Sequence, residues 1–235
     1  MFETTHWSLV LTAAEGESTD ARNALADLCQ RYWTPLYGFV RRRGFSVEEA
    51  QDLTQGFFAK LIEKDYVGQA DRDRGRFRTF LLASLKHFLS HERERQAAQK
   101  RGGDRTILSL DFESAEQAYA CEPATDVTPE KLFERRWALT VLQQAIESLE
   151  RDHAEAGRIE EFERYRPFLT GDGDTPSYAQ LAAETGKSVE ATRVAVHRLR
   201  QRFRRSLKAE VSQTVSDPGD AEDELSQLLI ALSKK

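Results

Sequence analysis

Apolar residues in this 235-residue chain recur at intervals of three and four positions, and this spacing limits the possible folds more than any other property. Such intervals place side chains on one face of an α-helix, whereas a half-buried strand requires strict alternation. The spacing therefore predicts an all-α fold. The clearest sets are Leu25, Leu28, Tyr32, Leu36 and Phe39, then Leu53, Phe57 and Leu61, then Phe77, Leu81, Leu85 and Phe88, and finally Leu132, Phe133, Trp137, Val141 and Leu149.

Breaker residues predict how these helices are grouped. Gly102 and Gly103, together with Pro123 and Pro129, enclose an acidic stretch without a clear helical pattern, which is typical of a linker. We therefore expect two small helical domains joined by a linker, with a C-terminal helical extension. The predicted parts are an N-terminal extension (1–19), a helical core domain (20–101), an acidic linker (102–128), a second helical domain (129–210) and a C-terminal extension (211–235).

Charge is unevenly distributed along the chain, whose formal net charge is -5. Residues 72–105 carry ten Lys and Arg against four Asp and Glu, and residues 178–210 carry eight against three. Residues 111–161 are acidic, with thirteen Asp and Glu against five Lys and Arg. Two basic blocks around an acidic one predict two contact surfaces for a polyanion, although solvated helix faces give the same pattern.

Several functional classes lack their sequence signals in this chain. The two cysteines are too few for a disulfide framework, and the five histidines show no metal-ligand spacing. Gly-rich phosphate loops and catalytic motifs are absent, so we expect a protein that is not an enzyme and takes no cofactor or metal. No apolar run approaches the roughly 20 residues of a membrane span. The first residues lack a signal-peptide pattern, so we expect a cytoplasmic protein without membrane insertion.

The strongest motif spans residues 178–205 and has the features of a helix-turn-helix. Ala182 allows the two helices to approach closely, Gly186 suits the turn between them, and Ser188 suits the start of the second helix. An ordinary amphipathic helical hairpin is the alternative interpretation.

The second helix of this motif combines an apolar seam with rows of basic residues. Arg193, His197 and Arg200 follow helical spacing on a face separate from that seam. Arginine in the major groove reads guanine edges, while further basic groups neutralise phosphates. The candidate DNA-binding residues are Ser188, Glu190, Arg193, His197, Arg198, Arg200 and Arg204.

A second candidate surface lies on the helix predicted over residues 48–63. Glu48, Asp52 and Gln55 are spaced four and three apart, so they share one polar stripe. Such a stripe is either a solvated helix face or a docking surface for a partner.

A third candidate surface follows in residues 72–90, where basic residues alternate with aromatic ones. This pattern suits a single nucleic-acid strand, whose bases stack on rings while cations contact the backbone. Phe77, Phe80 and Phe88 themselves fit the apolar core better, because they lie on the apolar seam. The candidate strand-binding residues are Arg76, Arg78, Lys86 and His87.

In their order along the chain, these motifs resemble those of bacterial RNA polymerase sigma factors of the sigma-70 family, specifically the extracytoplasmic-function (ECF) group. RYWTPLYGFVRRRG (31–44) resembles the start of the family's region 2, and EEAQDLTQGFF (48–58) resembles its acid-rich docking motif. GRFRTFLLASLKHFLSHERER (75–95) resembles the part that melts and reads the −10 element. The helix-turn-helix resembles region 4, which reads the −35 element.

This resemblance implies that the chain works with core RNA polymerase on promoter DNA. Docking on the clamp of the largest polymerase subunit is then assigned to Glu48, Glu49, Asp52 and Gln55. Capture of the opened −10 strand is assigned to Arg76, Arg78, Lys86 and His87. The linker resembles those that thread toward the polymerase active site. An anti-sigma factor or a protein kinase is a further expected partner.

The docking segment departs from the family pattern at two positions. Gln51 and Gly56 stand where the pattern has glutamates, so this face is less acidic. Thr54 lies in the same segment. We hypothesise that its phosphorylation, which adds about −1.5 to −2 charges, restores the acidity.

Two questions stay open at the level of sequence. A stand-alone helix-turn-helix transcriptional regulator with a helical sensing domain is the alternative to a sigma factor, and it would dimerise and need no polymerase. The C-terminal extension is either a regulatory clasp on one of the domains or a frayed end. Its leucine seam favours a docked helix.

Overall fold

The computed structural model describes residues 19–62, 75–98, 111–120, 127–170 and 175–233. Regular structure in these ranges is helical, in agreement with the predicted all-α class. Across the same ranges, one isolated bridge joins Arg76 to Val215. Among the described helices, none is long and apolar enough to cross a membrane.

The helices occur in the predicted order along the chain. Their bounds are α1 (Thr19–Arg42), α2 (Val47–Ile62), α3 (Phe77–Ala98), α4 (Phe112–Ala120), α5 (Pro129–Glu155), α6 (Ile159–Tyr165), α7 (Pro167–Thr170), α8 (Tyr178–Thr185), α9 (Val189–Ser212) and α10 (Ala221–Ser233).

Local signals explain most of these bounds. Gly44 adopts φ +89 directly after α1, where the sequence predicts a break. Apolar spacing across residues 159–169 predicts one helix, but the structure has two, α6 and α7, because Pro167 has no N–H to continue the helical ladder. Gly68, a breaker residue that predicts a further helix end, lies outside the described residues.

The helices form two compact units. The first unit holds the described residues up to Thr140 together with those from Val211 onward, and the second holds Val141–Glu210. The units therefore divide inside α5, between Thr140 and Val141, and again after Glu210, where the sequence also predicts a boundary. Both α4, from the predicted linker, and the C-terminal extension contribute to the first unit.

An aromatic core built from α1, α2 and α3 holds the first unit together. Phe77, Phe80 and Phe88 are buried, which confirms their interpretation as core residues. The rings of Tyr32 and Phe77 meet edge to face with centroids 5.4 Å apart. Burying one such side chain contributes roughly 1.5–3 kcal/mol. This packing fixes the orientation of α3 and hence of its basic residues.

Helix α4 packs on α1 through one ring and one carboxylate. The ring of Phe112 contacts that of Trp33 at a centroid distance of 5.1 Å. Glu116 accepts hydrogen bonds from the Arg41 Nε at 2.9 Å and Nη2 at 2.8 Å, and from the Tyr37 hydroxyl. This part of the predicted linker is therefore anchored in the first unit.

The C-terminal helix α10 also packs within the first unit, which confirms the prediction of a docked helix. Ala221, Glu224 and Leu228 form its buried side. The preceding turn contributes the buried residues Thr214 and Val215.

The second unit is a compact bundle around the helix-turn-helix formed by α8 and α9. Ala182 of α8 is buried, which agrees with its predicted place at the helix crossing. The core cluster consists of Ile146, Leu149, Phe162, Tyr165, Phe168, Leu181, Val196 and Leu199.

Candidate nucleic-acid and partner interfaces

Caps and a left-handed turn fix the helix-turn-helix of the second unit. The Ser177 hydroxyl accepts a hydrogen bond from the Gln180 N–H at 3.2 Å, and Gln180 reaches back to the Ser177 N–H at 2.8 Å, so α8 begins with a complete capping box. Gly186 ends α8 at φ 64 and ψ 23, a conformation that glycine adopts without strain. The Ser188 hydroxyl caps α9 by accepting from the Ala191 N–H at 3.1 Å.

An exposed basic row runs along one side of α9, as the spacing predicts. Arg193 and His197 are exposed, and the Arg193 guanidinium lies 5.7 Å from the centre of the Tyr178 ring. Arg204 is exposed on the same side. Arg200 is already engaged, because its Nε and Nη2 donate to the Phe168 carbonyl at 3.2 and 3.1 Å. Arg200 therefore braces α9 against α7.

The predicted DNA-binding residue Arg198 lies on a different side of α9. Together with Arg202 it lines an open cleft of about 490 Å³ between α9 and α6, which Glu190 also borders. Arg158, at the start of α6, lines the same cleft. The structure thus separates the predicted DNA-binding residues into two groups. Arg193 and His197 belong to the exposed row near Tyr178, and Arg198 lies along the edge of the cleft.

A polar cluster closes one end of the cleft. Lys187 donates to Glu161 at 2.8 Å and to the Tyr165 hydroxyl at 3.1 Å. The hydrogen bond from Lys187 lowers the pKa of Glu161, and the same bond raises the pKa of Lys187. Both groups stay charged at neutral pH, so the turn between α8 and α9 is tied to α6.

The predicted docking residues lie together on the exposed side of α2. Glu48, Glu49 and Asp52 are exposed, and Gln55 is partly exposed. The Ser46 N–H donates to Glu49 at 2.9 Å, and this backbone hydrogen bond lowers the pKa of Glu49. Glu49 is therefore part of the α2 capping box, while Glu48, Asp52 and Gln55 form the stripe that the spacing predicts.

The structure corrects the placement of Thr54. Its side chain is 0% exposed, and its hydroxyl donates to the Ala50 carbonyl at 2.7 Å. Thr54 therefore lies on the buried side of α2, away from the exposed acidic stripe. A kinase has no access to this hydroxyl while α2 is folded, so the phosphorylation hypothesis does not fit the structure.

The strand-binding prediction also needs correction, because Arg78 is only 5% exposed. Its Nε and Nη2 bind the two carboxylate oxygens of Glu224 at 2.7 and 3.1 Å, and its Nη1 lies 3.1 Å from Glu134. Its guanidinium also stacks over Trp137 at 4.5 Å. All three guanidinium nitrogens are thus occupied within the first unit.

The other predicted strand-binding residues differ in accessibility. Arg76 is partly exposed but pairs with Asp223 at 2.6 Å and with Glu224 at 3.0 Å. Lys86 binds Glu130 at 2.7 Å and lowers the pKa of that carboxyl. His87 is exposed, and its Nε2 lies 3.1 Å from that of His91. These residues therefore do not form one open basic surface.

Several residues of these interfaces, among them Arg202 of α9, were not among the predicted sites. Arg158 and Lys187 come from loops beside the helix-turn-helix, and Asp223 and Glu224 come from α10. Local patterns cannot pair an acidic residue of the C-terminal helix with an arginine 146 positions earlier. Charge is the sequence signal that indicates this pairing, because residues 72–105 are net basic and the C-terminal extension is net acidic.

Comparison with protein-family models, with curated proteins and with solved structures gives no match for this chain. Within the described ranges, no three His, Cys, Asp or Glu side chains are grouped as metal ligands.

Proposed function

We propose that this chain is an ECF-type sigma factor that binds core RNA polymerase and directs it to promoters with specific −10 and −35 elements. The observation that carries the proposal is the presence, in one chain, of an exposed acidic stripe on α2 and a capped helix-turn-helix with an exposed basic row. The proposal places the protein in the cytoplasm, without an enzymatic activity of its own.

The proposed polymerase contact is the stripe of Glu48, Asp52 and Gln55. These side chains project from a helix whose opposite side is packed in the first core through Leu53, Phe57 and Leu61, so the stripe is held rigidly. A rigid acidic stripe suits a basic surface on a partner, because electrostatic complementarity sets orientation and association rate. In this proposal the partner surface is the clamp of the largest polymerase subunit.

The proposed duplex contact is α9, placed in the major groove at the −35 element. Arg193 and His197 face the base edges, and a bidentate arginine contact with guanine discriminates by roughly 1–3 kcal/mol. Arg198 and Arg202, together with Arg158 across the cleft, hold the phosphates along one wall of the groove.

One observation favours a second candidate, a stand-alone helix-turn-helix regulator. The burial of Arg78 removes a residue that strand capture at the −10 element would use. A regulator of this class needs only the duplex-binding helix, dimerises on a palindromic site and works without polymerase.

Copurification with bacterial core RNA polymerase tests the proposal. Wild type is compared with Asp52→Arg and with Asp152→Arg, a control that makes the same charge change at an exposed residue of α5. We expect wild type and the control to bind stoichiometrically and Asp52→Arg to lose binding, because it reverses the charge at the centre of the stripe. Equal binding by all three proteins, or by none, would contradict the proposal.

A further inference from the structure

The C-terminal segment, residues 213–233, is fastened to the start of α3. The Phe77 N–H donates to the Thr214 carbonyl at 2.9 Å, and the Ser216 N–H donates to the Gly75 carbonyl at 3.3 Å. Because Phe77 is the first residue of α3, its N–H has no acceptor inside the helix. The segment therefore supplies an acceptor that α3 lacks and leads directly into α10.

The first turn of α10 carries three consecutive acidic residues, and two of them bind the arginines assigned to the −10 strand. Glu224 is 0% exposed and bridges Arg76 and Arg78, while Asp223 contacts Arg76 from the surface. Carboxylates and phosphates use the same guanidinium donors in the same bidentate geometry. The acidic turn thus occupies the positions that strand phosphates would take.

We propose that the C-terminal segment is an intramolecular competitor for the single strand, which covers Arg76 and Arg78 until it is released from α3. The inference rests on the proposed function, since it concerns the same strand-binding site. Arg78 is only 5% exposed, and each of its three nitrogens already contacts Glu224 or Glu134, so a phosphate cannot reach it while the segment is in place. The strand and the segment therefore exclude each other.

Binding of a short fluorescein-labelled single-stranded oligonucleotide of mixed sequence, measured by anisotropy, tests this competition. The full-length Asp223→Asn/Glu224→Gln variant removes both carboxylate charges that contact the arginines. The control, Asp217→Asn/Asp220→Asn, removes two charges from exposed residues of the same segment. Asparagine at 217 keeps an oxygen for the Gly219 N–H, which Asp217 caps at 2.8 Å.

We expect the first variant to bind the oligonucleotide at least about fivefold more tightly than the control, a typical size for coupling between sites. Adding Arg76→Ala and Arg78→Ala to that variant is expected to remove the gain. Equal affinities of the two charge variants, or a gain that survives loss of both arginines, would overturn the proposal.

Folding is checked by circular dichroism, because Glu224 is buried. If the double variant is unfolded, Asp223→Asn is compared with Asp220→Asn in the same assay, since Asp223 has a side chain that is 70% exposed and is not needed for the core. We then expect a gain of about twofold, the size of a modest exposed ion pair, and no difference would overturn the proposal. The copurification of Asp52→Arg tests the proposed function separately, because it needs no contact of the C-terminal segment.

Discussion

At the scale of single residues, Glu116 makes the stability of the first unit dependent on pH. Hydrogen bonds from Arg41 are the main reason that the pKa of Glu116 is lowered below its ordinary value. A carboxyl whose pKa is lowered by folding stabilises the folded state above its unfolded pKa, about 4.3. This contribution is lost as the pH falls through the lower pKa of the folded state.

The substitution Glu116→Gln is expected to lower the free energy of unfolding by about 1–2 kcal/mol at pH 7, because it removes the negative charge and one of the two oxygens that accept hydrogen bonds from Arg41. The difference from wild type should shrink below about pH 4, where Glu116 itself becomes protonated. Urea unfolding at several pH values measures this. Glu113→Gln, at an exposed position of the same helix, is the control. A difference that stays constant from neutral to acidic pH would contradict the account.

At the scale of helices, the basic residues of α9 fall into a brace on α7 and an exposed row that is proposed to contact DNA. Arg200 donates to the Phe168 carbonyl, whereas Arg204 lies further along the exposed row. We expect Arg200→Ala to lower the stability of the second unit by about 1 kcal/mol. Arg204→Ala is expected to leave the melting temperature unchanged and to lower the salt slope of duplex binding by about one. Thermal unfolding measures the stability of each variant, and duplex binding at several salt concentrations measures the salt slope. A loss of stability in Arg204→Ala but not in Arg200→Ala would contradict this assignment.

Features of the helices could be predicted when the residues that determine them are close together in sequence. The cap at Ser188 and the left-handed turn at Gly186 are local signals, and both are present where the sequence places them. The break at Pro167 was equally local but was missed, because the apolar spacing continues across it. The bond between Arg78 and Glu224 joins residues 146 positions apart, so no periodic pattern indicates it.

The candidate sites show the same division. The stripe on α2 and the row on α9 follow from helical spacing alone, since each lies on one exposed face of one helix. Burial of Arg78 and Thr54 depends on which neighbouring helix covers each residue. The spacing of a single helix cannot specify this when a polar residue borders the apolar seam.

At the scale of the whole molecule, the C-terminal extension completes the first unit. Deletion of residues 217–235 removes the buried side chains of Ala221 and Leu228. Because their burial is lost, we expect the free energy of unfolding of the first unit to fall by about 2–4 kcal/mol. Urea unfolding measures the loss. Leu229→Ser is the control, because Leu229 is 55% exposed on the same helix and its replacement should be nearly neutral. A deletion as neutral as the control would contradict the docked arrangement of α10.

Distribution of charge over the whole chain explains how an acidic protein is proposed to bind DNA. The formal net charge is -5, yet the basic residues of α9 are exposed, while acidic side chains cap helices, line the exposed stripe of α2 and pair with Arg76. Net acidity disfavours non-specific binding of the free chain to DNA, since that binding is mainly electrostatic. Under the proposed function, the chain therefore needs core RNA polymerase to reach a promoter.

Transcription from a library of random DNA tests the central claim most directly. Core RNA polymerase is supplied with wild-type protein, with Asp52→Arg or with no addition, and the 5′ ends of the transcripts are sequenced. The account predicts start sites that appear only with the wild-type protein and share two upstream motifs, at the −35 and −10 positions. Identical start sites with and without the wild-type protein would contradict the claim that this chain directs polymerase to promoters.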